Sequence, residues 1–419
     1  MADRAIRLSH PARSLGGTVQ LTGSKSESNR ALIIGALGDG KVTIENLSEA
    51  ADTVTLQQAL AQTAVTDPGS ETHIDIGPAG TAMRFLTAYL TTTAGRYHLT
   101  GSERMKQRPI GMLVDALKAL GADIQYAGQP GYPPLTIRGG LVQQTEKVRI
   151  KGNVSSQYLS ALLLIASALP SGLELQIEGE LTSRPYLTMT LDMLAEAGIS
   201  HRWVGDTISV APQRAKPCRL IIEPDWSAAS YWYAMVALAE KADLFLPNLK
   251  QHSLQGDAAI ASIMADFGVV STFENGGLRI QKATSDTVIN TGKLLDFTEC
   301  PDLAQTVIVC AAAQRRNLSF TGLHTLRIKE TDRVAALQHE LGKIGVQLVE
   351  DGATYHLRTD GLFRAGNLAI DTYEDHRMAM AFAPLALLFN DMQINDPSVV
   401  EKSYPDFWKH LKQQGFVIT

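Results

Sequence analysis

Cationic and hydroxyl side chains in the first half of the chain are gathered where helices are expected to begin. Four short segments carry them: residues 23–30, 77–84, 104–111 and 155–157. Peptide N–H groups at a helix start lack partners, and the helix dipole favours negative charge there. The planar guanidinium of Arg and the compact ammonium of Lys both bind phosphate and carboxylate groups well. The segments therefore predict sites for small anions, although each alone could be a capping turn or a solvated charge cluster.

The first of these segments reads Gly-Ser-Lys-Ser-Glu-Ser-Asn-Arg. A strand is expected over residues 18–21, followed by a helix for which Ser26 and Ser28 are candidate N-caps. Lys25 and Arg30 supply the positive charge. A P-loop requires Gly-Lys-Ser, so the order Gly-Ser-Lys-Ser excludes that type of nucleotide site.

Carboxylates and cations are interleaved in the second half of the chain. Asp302 precedes the apolar stretch 303–313, where it is either an N-cap or a proton acceptor. Residues 327–333 hold five charged side chains in seven positions, and a second cluster covers residues 374–377. Lys402 stands before the last predicted helix. A solvated helix start is the alternative for the charged stretch, and a local hydrogen bond is the alternative for the His within the second cluster.

Composition narrows the class of protein. The 419 residues are 45% hydrophobic and 19% charged, which is typical of a globular protein of two or three domains. A net charge of −5 argues against general nucleic-acid binding. Three cysteines, an odd number without a Cys-x-x-Cys pair, argue against a disulfide framework and favour a reducing compartment. No apolar stretch is long enough to span a bilayer, and no signal core follows the N-terminus, so we expect a cytoplasmic protein.

The sequence indicates neither a metal nor a cofactor. Its ten histidines form no His-x-x-x-His or His-Glu-x-x-His pair, and the cysteines are far apart. No Gly-x-Gly-x-x-Gly segment follows a predicted strand, which argues against a dinucleotide.

A helix–glycine–strand pattern recurs along the chain and predicts how these segments are positioned. Five amphipathic stripes each end at a glycine and lead into a short β-branched or aromatic run, the glycines being Gly121, Gly198, Gly268, Gly345 and Gly415. By subtraction the intervals are 77, 70, 77 and 70 residues. Glycine suits the left-handed position that ends a helix. With a sixth, weaker copy at residues 56–64, we predict six α/β units, three per half. Chance recurrence in an ordinary α/β protein is the alternative.

Taken together and in order, the segments resemble the 5-enolpyruvylshikimate-3-phosphate (EPSP) synthase family. The matching motifs are colinear over nearly the whole chain, at residues 23–30, 79–84, 104–111, 155–157, 183–186, 301–302, 329–333, 375–380 and 402–406. Any one of them could arise by chance, but nine in order are specific.

The resemblance implies an α/β fold of two similar domains, each with three βαβαββ units, in the inside-out α/β barrel of the enolpyruvyl transferases. The first domain would span residues 22–224 and hold the shikimate 3-phosphate cradle. The second would combine residues 1–21 with 225–419 and hold the acid, the base and the phosphoenolpyruvate clamp. The active site would lie in the cleft between the domains.

The resemblance also implies an activity: transfer of the enolpyruvyl group of phosphoenolpyruvate to the 5-hydroxyl of shikimate 3-phosphate, with release of phosphate. Asp302 would be the base, Glu330 the acid, and Lys25 would stabilise charge at the bridging oxygen. Residues for shikimate 3-phosphate would be Lys25, Ser26, Arg30, Ser155, Ser156, Gln157, Ser183, Asp302 and Lys329. Residues for phosphoenolpyruvate would be Lys25, Gly80, Arg108, Gln157, Arg333, Arg377 and Lys402. The family implies a monomer with only small-molecule partners, without metal or cofactor.

Two positions depart from the family pattern. Pro78 stands where Asn is usual, and Thr325 stands where Asn often precedes the Lys of Lys-Glu-Thr-Asp-Arg. UDP-N-acetylglucosamine enolpyruvyl transferase is one alternative, but it typically has a reactive Cys in its first half, and the first Cys here is Cys218. A non-catalytic phosphometabolite-binding protein is another, against which the presence of Asp302 and Glu330 argues.

Overall fold

The computed structural model describes residues 5–64, 70–153, 155–274, 276–284, 292–363 and 366–419. Two compact units divide the chain. We call Gly23–Ile222 the central unit, and the stretches before Gly23 and after Ile222 together the terminal unit.

The central unit alternates helices with short strands. Its helices are α1 (Lys25–Leu37), α2 (Ala51–Thr63), α3 (Gly80–Thr92), α4 (Gly111–Ala119), α5 (Ser156–Ala166) and α6 (Arg184–Glu196). Its strands are β3 (Val42–Glu45), β4 (Glu71–Asp75), β5 (Arg96–Thr100), β6 (Asp123–Tyr126), β7 (Leu135–Arg138), β8 (Lys147–Lys151), β9 (Leu173–Glu178), β10 (Arg202–Val204), β11 (Thr207–Val210) and β12 (Cys218–Ile221).

The terminal unit has the same kinds of element. Its helices are α7 (Trp226–Leu238), α8 (Ile260–Ala265), α9 (Ala304–Ala313), α10 (Arg333–Gly342), α11 (His376–Phe382) and α12 (Phe407–Gln413). Its strands are β1 (Ala5–Ser9), β2 (Ser14–Thr18), β13 (Lys241–Pro247), β14 (Val269–Glu274), β15 (Gly277–Lys282), β16 (Leu294–Asp296), β17 (Ser319–Thr321), β18 (Gln347–Asp351), β19 (Thr354–Arg358), β20 (Leu368–Ile370), β21 (Met392–Asn395) and β22 (Val417–Ile418).

One pattern of strand pairing recurs in both units. In the sheet β8-β9-β11-β10, the parallel strands β8 and β9 are joined through α5, and β9 then pairs antiparallel with β11 of the β10–β11 hairpin. A parallel pair needs a crossover connection, and the helix supplies it. Within the described residues, four further four-stranded sheets share this order: β4-β5-β7-β6, β2-β13-β15-β14, β16-β17-β19-β18 and β20-β21-β1-β22. The parallel pair β3–β12 forms the remaining, two-stranded sheet.

The helices are of two kinds, which differ in how much of their surface is buried. In α3, α5, α7 and α9 almost every residue is buried, as expected for helices that are apolar all round and lie in a core. In contrast, α4, α6 and α10 bury a single stripe, such as Leu187, Leu191 and Leu194 of α6. Three of the five amphipathic stripes that define the sequence repeat are therefore these outer helices, and α8 and α12 carry the other two.

All five repeat glycines adopt the predicted left-handed conformation. Their φ angles are +107° at Gly121, +78° at Gly198, +82° at Gly268, +76° at Gly345 and +90° at Gly415. At Gly121 and Gly345 an added Cβ would also lie 2.2 Å from a carbonyl oxygen, of Val142 and Gly361 respectively. These two glycines are thus required by close backbone approach as well as by conformation.

Two local predictions are wrong. The strand expected over residues 18–21 ends at Thr18, because pairing with β13 stops there. Neither Ser26 nor Ser28 caps α1: the N-cap is Ser24, whose side chain accepts a hydrogen bond from the Glu27 N–H at 3.4 Å. Ser28 Oγ instead accepts from the Ser48 N–H at 2.9 Å.

Candidate active site

The predicted anion-binding residues of the central unit lie at the N-terminal ends of its helices. Lys25 and Ser26 open α1, Gly80 opens α3, Ser156 and Gln157 open α5, and Ser155 and Ser183 are N-cap positions. Gln157 Nε2 donates to Thr81 Oγ1 at 3.2 Å, which places the starts of α3 and α5 side by side. The segments identified by sequence therefore include adjoining helix starts, with N–H groups available for an anion.

Ser155 and Ser183 occupy N-cap positions without capping their helices. Neither side chain makes the usual hydrogen bond to the first turn. Ser183 is also buried and left-handed, with φ 56° and ψ 40°. A non-glycine residue in that region costs about 1–3 kcal/mol and persists where the surroundings require it, frequently at functional sites. The strain is consistent with a role for Ser183 in ligand binding.

Arg30 joins four helices below these starts. Its guanidinium donates to Thr190 Oγ1 at 2.7 Å, to Ser160 Oγ at 3.0 Å, and to the carbonyl oxygens of Ser26 and Tyr186 at 2.9 and 3.2 Å. It also lies 5.5 Å from the ring centroid of Phe85 in α3. Burial lowers the pKa of Arg30 to about 10. Four of the five guanidinium N–H groups are thus used inside the protein, which leaves one for any ligand.

Lys25 forms an ion pair across the start of α2. Its Nζ lies 3.2 Å from Asp52 Oδ2, and the two side chains are 15% and 4% exposed. Asp52 is in the first turn of α2, where a carboxylate is favoured by the dipole. Asp52 therefore holds Lys25 over the helix starts, a partner that no sequence motif indicated.

Gly80 and two arginines form one packed group. A Cβ at Gly80 would lie 2.6 Å from Arg108 Nη1, so the guanidinium of Arg108 rests directly on the start of α3. Arg84 ties the Arg108 loop to the same helix, since it donates to Gly80 O at 3.2 Å and to Pro109 O at 2.9 Å. The motifs 79–84 and 104–111 thus form a single corner that carries two arginines.

In the terminal unit, Asp302 and Glu330 are held by the same guanidinium. Arg333 Nη1 lies 3.0 Å from Asp302 Oδ1, and Arg333 Nη2 lies 2.9 Å from Glu330 Oε2. Arg333 is anchored in turn by Asp375, 2.7 Å from its Nε. Burial alone would lower the pKa of Arg333, but Asp375, Glu330 and Asp302 outweigh it and raise the pKa. Asp302 lies in a 310 turn (Pro301–Leu303) and does not cap α9, whose N-cap is Leu303, so the N-cap alternative is wrong.

The other predicted cations surround the same two carboxylates. Lys402 Nζ lies 3.2 Å from Glu330 Oε1, Arg377 Nη2 lies 3.1 Å from Asp302 Oδ2, and Lys329 Nζ lies 3.8 Å from Asp302 Oδ1. Burial lowers the pKa of Lys329, while Asp302 opposes that shift. An anion that binds here must compete with Asp302 and Glu330 for their cations.

Several members of this network were not found from the sequence. Arg377 also donates to Ser227 Oγ and Tyr231 OH, both at 3.3 Å, and Ser227 is hydrogen-bonded to the buried Asp257. Asp257 and Ser227 belong to segments without charge clusters, so no composition signal marks them. Asp375 was part of a recognised cluster, yet its pairing with Arg333 spans 42 residues and has no spacing signature.

Within the described parts of the chain, no helix combines the length and apolar character needed to cross a membrane. The same residues contain no group of three or more His, Cys, Asp or Glu side chains placed to hold a metal ion.

Comparison with solved structures defines the class of fold. The fold matches EPSP synthase from Acinetobacter baumannii with a TM-score of 0.77 at 22% identity, covering 99% of this chain and 100% of that one. It also matches the enolpyruvyl transferase NikO from Streptomyces tendae with a TM-score of 0.73 at 14% identity, covering 99% and 98%. The fold is therefore that of the enolpyruvyl transferases, and the predicted α/β fold class is confirmed.

Sequence comparison assigns the family. The family described as EPSP synthase (3-phosphoshikimate 1-carboxyvinyltransferase) matches residues 10–411. A 3-phosphoshikimate 1-carboxyvinyltransferase of Bacteroides fragilis is 46% identical over 414 residues, covering 98% of each chain. One from Laribacter hongkongensis is 39% identical over 419 residues, covering 95% of this chain and 96% of its own. This chain belongs to the EPSP synthase family and is a transferase.

Proposed function

We propose that the residues described above carry out the reaction of this family: the enolpyruvyl group of phosphoenolpyruvate is transferred to the 5-hydroxyl of shikimate 3-phosphate, and phosphate is released. The observation that carries the assignment of roles is the pair of carboxylates, Asp302 and Glu330, on the two terminal nitrogens of Arg333. Two carboxylates fixed among cations can take opposite roles as base and acid.

The proposed chemistry is addition followed by elimination. In the addition, Asp302 accepts the proton of the attacking 5-hydroxyl while Glu330 donates a proton to the methylene carbon of phosphoenolpyruvate. The hydroxyl oxygen then bonds to the carbon that carries the phosphate, giving a tetrahedral adduct. In the elimination, Glu330, left ionised by the addition, takes back a proton from the new methyl group while the carbon–oxygen bond to phosphate breaks. Phosphate leaves with the electrons of that bond, and the proton held by Asp302 passes to phosphate or solvent. Lys25 would offset charge at the bridging oxygen.

The proposed binding sites follow the two groups of cations and hydroxyls. Shikimate 3-phosphate would contact the helix starts of the central unit through Lys25, Ser26, Ser155, Ser156, Gln157 and Ser183, together with Asp302 and Lys329. Phosphoenolpyruvate would contact Lys25, Gly80, Arg108, Gln157, Arg333, Arg377 and Lys402. Arg30 supports the first site, and we propose at most one direct contact from it, because four of its N–H groups are already used.

A phosphate-release assay tests the function. Release should require both shikimate 3-phosphate and phosphoenolpyruvate, and omission of either should abolish it. Activity should persist in a chelator, because the reaction is proposed to use no metal. Comparable release with a UDP-sugar acceptor would assign the chain to the other enolpyruvyl transferase reaction. Binding of both ligands without release would indicate a non-catalytic phosphometabolite-binding protein.

We further propose that the protein acts as a cytoplasmic monomer whose partners are its small-molecule substrates. A single monomer mass in light scattering, with and without substrates, is the expected result. A dimer mass at assay concentration would contradict this part of the proposal.

A further inference from the structure

A buried carboxyl group, Asp257, stands behind one of the proposed phosphoenolpyruvate ligands. It lies in a 310 helix (Gly256–Ala259) between β13 and α8, and its side chain is hydrogen-bonded to Ser227 Oγ in the first turn of α7. Ser227 Oγ in turn accepts a hydrogen bond from Arg377 Nη2 at 3.3 Å. A hydroxyl that accepts from an arginine must direct its own proton elsewhere, and here that proton points to Asp257.

The charges around Asp257 come from three packed elements. Asp302, in the 310 turn before α9, and Asp225, the N-cap of α7, are negative, whereas Arg377 of α11 is positive. The Cys300 thiol is a further neighbour, and α8 contributes only apolar residues and a serine. Burial, followed by the negative charge of Asp302, raises the pKa of Asp257 to about 7. The protonated form of this carboxyl group is therefore favoured well above the pH at which an exposed aspartate ionises.

We propose that Asp257 is a positioning residue for Arg377: its protonated form orients Ser227 and the guanidinium, whereas its ionised form competes with the carboxylate of phosphoenolpyruvate for Arg377. The proposal rests on the proposed function, because it takes Arg377 as a ligand of phosphoenolpyruvate. Asp302 already occupies Arg377 Nη2 at 3.1 Å, so a second carboxylate nearby adds to the negative charge that an anionic substrate must displace. Asp257 itself need not touch the substrate.

The Asp257→Asn variant tests this role, because an amide keeps the shape of the protonated carboxyl and cannot ionise. The KM for phosphoenolpyruvate is measured for both proteins from pH 6 to pH 8.5. The ratio of wild-type to variant KM removes the ionisation of the substrate itself. We expect a ratio near 1 at pH 6 that rises about threefold or more by pH 8.5, with kcat changed less than KM. A flat ratio would overturn the proposal.

The hydroxyl link is tested by Ser227→Ala. If Asp257 acts through Ser227, the effects of Asp257→Asn and Ser227→Ala on KM are not additive in a double-mutant cycle. Ser230→Ala is the matched control, since Ser230 is a buried serine one turn along α7 whose hydroxyl donates to Ser227 O at 2.6 Å. It should leave the pH profile unchanged. Additive effects would show that Asp257 does not act through Ser227.

Thermal unfolding provides a second measurement that does not depend on activity. The pKa of Asp257 is raised to about 7 in the folded protein, above the ordinary value of 3.8. The folded protein therefore becomes less stable as the pH rises between those two values. The melting temperature of Asp257→Asn relative to wild type should therefore rise from pH 4 to pH 7 and then level off. A constant difference would overturn the titration of Asp257. If wild type releases no phosphate, the proposed function fails instead, and this melting profile would still report on Asp257.

Discussion

Arg333 and Asp375 form a buried ion pair that joins the starts of two helices. Arg333 is the first residue of α10 and Asp375 is the N-cap of α11, and their side chains are 2% and 0% exposed, with Nε 2.7 Å from Oδ2. The same Asp375 accepts a hydrogen bond from the Arg377 N–H at 2.8 Å. One carboxylate thus fixes the side chain of one proposed phosphoenolpyruvate ligand and the backbone of another.

Asp375→Asn should destabilise the protein strongly. The amide can still cap α11, but the buried guanidinium of Arg333 loses one of its negatively charged partners. Removal of a partner from a buried ion pair typically costs about 3–5 kcal/mol. Urea unfolding followed by circular dichroism should show a lower midpoint. Asp391→Asn is the control, because Asp391 pairs with Arg7 at an exposed site and should change stability by less than about 1 kcal/mol. Equal midpoints for the two variants would contradict this view of Asp375.

Asp302→Asn should lower kcat without weakening phosphoenolpyruvate binding. Loss of a general base typically costs about 10²–10⁴-fold. The carboxylate also occupies Arg333 and Arg377, so its removal leaves both guanidinium groups more available to an anion. Steady-state kinetics should show a KM for phosphoenolpyruvate that is unchanged or lower. A near-normal kcat would remove Asp302 from the role of base.

Glu330→Gln should also lower kcat by about 10²–10⁴-fold, because an amide cannot deliver the proton to the methylene carbon. Solvent-deuterium incorporation into the methyl group of the adduct should slow in parallel. Glu350→Gln is a matched control: this exposed carboxylate pairs with Arg327 outside the proposed site and should leave turnover unchanged. Normal deuterium incorporation in the Glu330 variant would exclude it as the acid.

Lys25→Met should impair binding of both substrates as well as turnover. The ammonium group is proposed to contact both, and loss of one preorganised donor costs about 10²–10³-fold in rate. Titration calorimetry with each substrate separates binding from turnover. Lys41→Met changes an exposed lysine of the same unit and should behave as wild type. A selective effect on one substrate would contradict the proposed shared contact.

Gly80→Ala should act through Arg108. The new methyl group would lie 2.6 Å from Arg108 Nη1, so the guanidinium must move, and a displacement of about 1 Å can cost about 10²-fold. We expect kcat/KM for phosphoenolpyruvate to fall with little change in melting temperature. Gly35→Ala, within α1, brings its methyl group no closer than 3.3 Å to Ile44 and should retain activity. Equal activities would show that Arg108 does not depend on the space at Gly80.

The repeated fold could be predicted because its signals are local. Each outer helix carries its own apolar stripe, and each repeat glycine ends a helix in the left-handed conformation, so neither feature depends on distant residues. The end of β2 at Thr18 and the cap at Ser24 depend on information that is not local. Pairing with β13 ends at Thr18, and Ser24, Ser26 and Ser28 are all suitable residues for an N-cap, so the sequence does not distinguish among them.

Only part of the candidate site could be predicted from the sequence. The motif residues were found through the family resemblance, but the partners that hold them were not. Asp52 is 27 positions from Lys25, and Asp375 is 42 positions from Arg333. Such pairs are brought together only by packing of helix starts, so a single sequence contains no spacing that identifies them. Asp257 is a further case, because one acidic residue in an ordinary turn looks like any surface carboxylate.

The position of β1 between β21 and β22 determines when β1 can fold during synthesis on the ribosome. Residues Ala5–Ser9 leave the exit tunnel long before Met392–Asn395 and Val417–Ile418, the two strands with which they pair. At about 5–20 residues per second, the roughly 400 residues in between take about 20–80 s to translate. Gly23–Ile222 is one continuous stretch and can fold within that interval, whereas the first strand must wait with its edges unpaired. A chaperone that shields Ala5–Ser9 during synthesis would therefore raise the yield of this chain more than that of a protein in which such a strand pairs with its neighbours in sequence.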